Sequence, residues 1–174
     1  MFYNDIIGQN GLKNQLKQMI IQSQMPHCQL FIDSMGYGGL PLALYCAMGL
    51  LRGFDVLVGA ENNRTPIKKP WDHPDLHFVY PVIKKSSRSA KVVSDDYRSS
   101  WNDFLQNDPY GSTQDWINML EARNNQGMIG VEEVTMIHHK IYLKAHDGGN
   151  KVMILFGADK LSEKASNKLL KLLE

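Results

Sequence analysis

The run Gln29-Leu30-Phe31-Ile32-Asp33-Ser34-Met35-Gly36-Tyr37-Gly38-Gly39-Leu40-Pro41 joins three kinds of sequence within a short distance. Residues 29–32 form a brief apolar run, consistent with a buried strand. Residues 33–39 form a glycine-rich turn. Residues 40–51 are apolar on nearly every side, which predicts a helix buried against a sheet. Pro41 suits its first turn, where a missing N–H costs nothing. A strand, a glycine loop and a buried helix together open a parallel α/β sheet.

Such a loop holds a phosphate when its glycines turn successive N–H groups inward, with a helix N-terminus behind them. A lysine and a Ser/Thr complete it, one for the phosphates and one for Mg²⁺. Here Gly39 stands at the lysine position and Leu40 at the hydroxyl position. Asp33 replaces the opening glycine, where a carboxylate repels phosphate. The strand expected to end in metal-binding and water-activating carboxylates reads Leu155-Phe156-Gly157-Ala158-Asp159, with Phe156 and Gly157 in the acidic places. Losing the lysine removes a charge-assisted contact of about 1.5–3 kcal/mol. Losing the carboxylates removes the means of placing metal and water. The loop reads as a decayed nucleotide site, or equally as a tight turn that never held one.

Outward from the loop, Leu12, Leu16, Met19 and Ile20 recur at helical spacing and predict a helix over 10–24, stopped by Pro26. Residues 59–74 read as a loop and 76–80 as a strand ended by Pro81. Residues 84–91 form a basic, serine-rich stretch. Helices are expected at 95–106 and 113–124, capped by Ser94 and Ser112, then at 131–145, broken by 147–150. Residues 152–156 give the clearest strand. Ser162 caps a last helix whose apolar stripe is Leu169, Leu170 and Leu173.

Composition narrows the class. In 174 residues, 43% hydrophobic and 21% charged, Lys+Arg 19 against Asp+Glu 18 leaves a formal charge of +1. That describes an ordinary globular chain without a global demand for nucleic acid or anionic membrane. No run approaches the roughly 18 apolar residues of a membrane span, and the N-terminus lacks a signal-peptide pattern. Cys28 and Cys46 sit in apolar stretches and read as small hydrophobes; no spacing offers a zinc site. A cytoplasmic location is the expectation.

The pieces then resemble a family. Asp5-Ile6-Ile7-Gly8-Gln9, Pro26-His27 before Leu30-Phe31, His73-Pro74-Asp75-Leu76 and Lys151-Val152 through Leu161 are similar to successive segments of the delta-prime family of bacterial DNA polymerase III clamp-loader subunits. These are AAA+ proteins related to the gamma/tau ATPase. The run 165–174 is close to that family's Asn-x-Leu-Leu-Lys-x-Leu-Glu signature, the most specific match. The resemblance implies a three-layer P-loop NTPase-like AAA+ domain with a parallel sheet, incomplete at the C-terminus, with a helical insertion at about 94–126. Lid and collar domains would lie outside the chain.

The resemblance also implies function. ATPase relatives carry a four-cysteine zinc module between the loop helix and the His-Pro-Asp segment, and residues 52–72 contain no cysteine. With the lysine and acidic places lost, the implied role is a non-hydrolysing subunit that supports loading of the sliding clamp. It needs no cofactor and no zinc. The implied partners are gamma/tau, delta and, through the complex, the sliding clamp and primed DNA. An active gamma/tau-type ATPase and a P-loop-like small-molecule enzyme are the alternatives; the first lacks its lysine and carboxylates, the second a catalytic base. In the implied sheet order 5-1-4-3-2, a sensor strand following Glu174 separates 29–32 from 152–156. The expectation is that these two runs pair directly, the other outcome being pairing with a second copy.

Single residues are read plainly. His138 and His139 project about 100° apart on a helix and do not share an ion easily. Lys84, Lys85, Arg88 and Lys91 read as a solvated loop. Trp101 and Trp116 fall on apolar helix faces, and Asp159 is expected to cap or pair locally.

Overall fold

A computed structural model of the chain describes residues 6–34, 36–54, 69, 71–83, 92–120, 126–146 and 149–174. It divides into two compact units, one of residues 1–77 with 145–152, the other of 78–144 with 153–174.

In the first unit, α1 (Asn10–Ile21) buries Leu16 and, unexpectedly, Lys13. The Lys13 Nζ donates to the Ile6 carbonyl at 2.9 Å, which satisfies the ammonium and ties the preceding segment to the helix. The helix ends three residues before the expected limit because Ser23 turns left-handed at φ 54. The loop helix α2 (Gly39–Arg52) buries nine of its residues, as its all-round apolar sequence requires. Gly49 admits the Phe54 ring, which lies 5.0 Å from Tyr45 by centroid; a Cβ there would stand 2.7 Å from Phe54 Cε1.

Residues 29–32 form no strand. Instead β2 (Val152–Leu155) pairs with β1 (Leu76–Val79), the Val152 N–H donating to Asp75 O at 2.9 Å and the Phe156 N–H to Val79 O at 2.8 Å. The constant offset makes the pair parallel. The expected direct pairing of 29–32 with 152–156 is thus overturned: β2 takes its hydrogen bonds from β1. Among the described residues the architecture is mixed α/β with a two-stranded parallel sheet and six α-helices.

In the second unit, the 3-10 turn Ser94–Tyr97 leads into α3 (Arg98–Asn107), followed by α4 (Thr113–Met119). Ser112 caps α4 as expected, in a reciprocal box with Asp115. Ser94 does not cap; Val93 precedes the turn and the Asp96 carboxylate accepts its N–H at 2.9 Å. Residues 121–125, the expected end of α4, lie outside the described residues. Trp101 and Trp116 are fully buried, packing with the buried Tyr80 and Phe104 and the half-buried Phe156, and Trp116 Nε1 donates to Pro81 O at 2.8 Å.

The helices α5 (Val131–Tyr142) and α6 (Glu163–Leu173) start side by side, because Ile129 exchanges hydrogen bonds with Lys160 and Ser162 at 2.9 and 3.0 Å. They run parallel, since further along both helices Lys168 Nζ donates to Thr135 Oγ1 at 2.7 Å and Leu169 and Leu172 pack with Ile137. Ser162 caps α6, accepting the Ala165 N–H at 3.3 Å. The core gathers Val79, Ile129 and Ile137 against Met153, Leu155, Leu161, Leu169 and Leu172. The expected stripe is corrected here: Ala165, Leu169 and Leu172 face inward, while Leu170 and Leu173 are exposed.

Candidate functional site

The glycine loop lies in the first unit. Ser34 accepts the Tyr37 N–H at 3.1 Å, and Gly36 and Gly38 take φ of 85° and 97°, where a side chain is strained. Gly38 is the N-cap of α2 and has no side chain to offer. Asp33 fills that role from a distance: its Oδ2 accepts the Gly39 N–H at 2.6 Å. A Cβ on Gly39 would stand 2.8 Å from the Asp33 carboxyl carbon. The positive end of α2 is thus met by a carboxylate of the same chain, a favourable arrangement in its own right. Leu40, at the expected hydroxyl position, is buried in the core. Tyr37 is exposed, and Gln9 Nε2 donates to its carbonyl at 3.4 Å. Met35 lies outside the described residues.

The second group of expected residues lies in the other unit. Phe156 packs its ring 5.4 Å from Trp101 and 6.1 Å from Phe104 by centroid. Gly157 adopts φ 72 with Thr113 Cγ2 2.9 Å from where its Cβ would be. Asp159 pairs with its neighbour Lys160 at 3.3 Å, the carboxylate largely in solvent and the lysine half-buried. The strand end therefore carries an aromatic contact and a tight turn where a hydrolase needs carboxylates.

Two polar arrangements went unassigned in the sequence. His73 and Asp75 are buried: His73 Nδ1 accepts the Asp75 N–H at 3.1 Å, and the Asp75 carboxylate accepts the His146 N–H at 2.8 and 3.0 Å. The His-Pro-Asp segment is thereby a clamp on the loop leading to β2. In the second unit, Glu133 is buried and its carboxylate accepts both the N–H and the hydroxyl of Ser94, the latter at 2.6 Å. Tyr80 donates to Ser94 O at 2.6 Å, and Lys140 pairs with Asp95 at 2.7 Å. Burial pushes the Glu133 carboxyl up, opposed by the Ser94 hydrogen bonds. The available signal was position: Glu133 shares the apolar face of Val134 and Ile137.

Among the described residues, no group of three His, Cys, Asp or Glu side chains could hold a metal ion. His138 lies 6.2 Å from Tyr142 by ring centroid, and His139 is exposed. Cys46 is buried and its thiol is pushed up to about 12 by desolvation, whereas Cys28 is exposed, contrary to its apolar setting in the sequence. Lys84, Lys85, Arg88 and Lys91 lie outside the described residues, as does most of 52–72. No helix among the described residues is long and apolar enough to cross a membrane.

These features define an α/β chain whose glycine loop is capped by its own carboxylate and whose second strand ends in an aromatic contact and a tight turn. The chain belongs to the family described as DNA polymerase III, delta subunit, which it matches over residues 8–174. It is 37% identical over 60 residues to the DNA polymerase III subunit delta' of Buchnera aphidicola from Schizaphis graminum. It is 38% identical over 60 residues to that of the strain from Acyrthosiphon pisum. Each alignment covers 34% of this chain and 18% of the relative. No solved structure matches.

Proposed function

We propose that this chain is a non-hydrolysing clamp-loader subunit of the delta-prime kind, supporting loading of the sliding clamp in DNA replication from a degenerate AAA+, three-layer P-loop domain. The observation that carries the reading is the Asp33 carboxylate 2.6 Å from the Gly39 N–H, at the helix end where a phosphate would have to sit. Buried Leu40 and packed Phe156 support it, since neither place offers a group for metal or water. The partners on this reading are gamma/tau and delta, with clamp and primed DNA reached through the complex, in the cytoplasm. The chain itself works without nucleotide, metal or zinc. Phosphate release with Mg-ATP should stay at background, and calorimetry should show marginal binding at most. Submicromolar affinity for Mg-ATP would refute the decayed site, and failure to co-purify with gamma/tau and delta would refute the clamp-loader role.

A further inference from the structure

Each of the four side chains in the 3-10 turn Ser94–Tyr97 is bonded. Ser94 gives both its N–H and its hydroxyl to the buried Glu133 carboxylate. Asp95 pairs with Lys140, two turns further along α5, at 2.7 Å. Asp96 turns back to accept the Val93 N–H at 2.9 Å, and Tyr97 donates its hydroxyl to the Ile83 carbonyl at 2.9 Å. The Tyr80 hydroxyl adds a bond to the Ser94 carbonyl at 2.6 Å. Apolar burial contributes little, since Asp95 and Asp96 are exposed and Ser94 offers only a hydroxymethyl group. The turn is therefore held to the second unit by polar contacts centred on one carboxylate. The next anchor along the chain is of another kind: Trp101, one turn into α3, is fully buried.

We propose that this turn is a buckle, opening and closing while the aromatic core beneath it stays folded, with the proton on Glu133 setting the balance. A segment held by few apolar contacts opens below the free energy of global unfolding, and here the chain can hinge between Arg98 and Trp101. Closed, the buckle keeps Glu133 out of water. The groups around it are the Tyr80 hydroxyl just past β1, Asp95 and Asp96 on the turn, Arg98 at the start of α3 and Lys140 on its own helix. Burial and Asp95 disfavour the charged carboxylate, while the Ser94 bonds and Lys140 favour it. Burial is the largest of these, so the closed state holds Glu133 above the ordinary glutamate range. Burial also pushes the Tyr80 hydroxyl up, so it stays a donor. Opened, Glu133 returns to water and to the ordinary range. The closed state thus binds the proton more tightly than the open one. Closure is tightest below the ordinary glutamate value, loosens as pH rises through the raised one and levels off above it. The glycine loop takes no part, so the device stands apart from the clamp-loader reading.

Amide hydrogen exchange of the 174-residue chain at several pH values, corrected for intrinsic exchange, reads both parts. The Ser94 N–H should exchange through an opening of smaller free energy than the N–H groups of Leu105 and Ile137, which sit at buried helical positions. Its protection should fall as pH rises through the carboxylate range, by up to about tenfold per pH unit. In Glu133→Gln the side chain does not titrate, and the fall should vanish. Asp95→Asn changes an exposed side chain and leaves the buried groups in place. It should move the fall to lower pH, because Asp95 disfavours the buried charge and Lys140 favours it. Ser94 exchanging together with Leu105 and Ile137 overturns the buckle. A parent profile flat with pH, a fall that persists in Glu133→Gln, or one that fails to move to lower pH in Asp95→Asn overturns the control by Glu133.

Discussion

Replacing Glu133 tests whether one buried carboxylate organises the second unit. Its two oxygens take the N–H and the hydroxyl of Ser94, and nothing on α5 can replace them. Glu133→Ala leaves both donors buried and unsatisfied at about 1–3 kcal/mol each, so a loss of about 2–6 kcal/mol is expected. Glu133→Gln keeps one acceptor and removes the buried charge, so its loss is smaller. The pH dependence separates the two effects. Burial raises the carboxyl in the folded state, with Asp95 adding to the rise and Ser94 and Lys140 opposing it. The folded protein then binds the proton more tightly than the unfolded chain. The stability this group contributes is fully present below the unfolded glutamate value and is lost as pH rises through the raised folded value. Urea unfolding of parent and Glu133→Gln at several pH values isolates that contribution. The difference in stability between them should shift in favour of the parent as pH falls towards the ordinary glutamate range. A Glu133→Ala protein within 0.5 kcal/mol of the parent, on the order of a neutral surface change, would refute the reasoning. So would parallel pH profiles for parent and Glu133→Gln.

Gly157→Ala forces a side chain into φ 72 against Thr113 and should cost about 1–3 kcal/mol in chemical denaturation. Trp116→Phe removes the Nε1–H donated to Pro81 O and should cost about 1–3 kcal/mol, with a changed near-ultraviolet dichroism. Gly39→Lys with Leu40→Thr should restore no hydrolysis in a phosphate-release assay, because Phe156 and Gly157 still supply no carboxylate and Asp33 crowds the new side chain. Phe156→Asp, which puts a carboxylate at the expected acidic place, should lower the melting temperature, since it sets that carboxylate against Trp101 and Phe104.

Patterns confined to one element were legible in the chain. The all-round apolar run became α2, Ser112 and Ser162 took their caps, and β1 and β2 fall within a residue of their expected ends. The helix and the caps depend on contacts a few residues apart, and the two strands held because each found the other. What failed depended on a distant partner. Residues 29–32 have strand composition, yet a strand exists only where another lends its backbone, and β1 claims β2. Ser94 looked like a cap because nothing local reveals Glu133, which lies 39 positions away. The stripe of α6 slipped because Leu169, Leu170, Leu172 and Leu173 offer two nearly equivalent faces, and only Ile137 and its neighbours choose between them.

On the proposed reading, the same dependence would make the loop and the strand end hard to revert. A site that had merely lost its lysine would leave an open helix end, and adding the lysine back would suffice. Here Asp33 satisfies a backbone N–H that α2 would otherwise leave to solvent. Leu40 is core, and Phe156 belongs to the aromatic cluster around Trp101. Each residue that departs from a phosphate-binding chemistry has a structural task in its own unit. Restoring the chemistry at any one place therefore removes a stabilising contact there and still leaves the other places without their groups. On the function proposed above, such a chain would contribute to its complex through its surfaces and its rigidity and not through turnover.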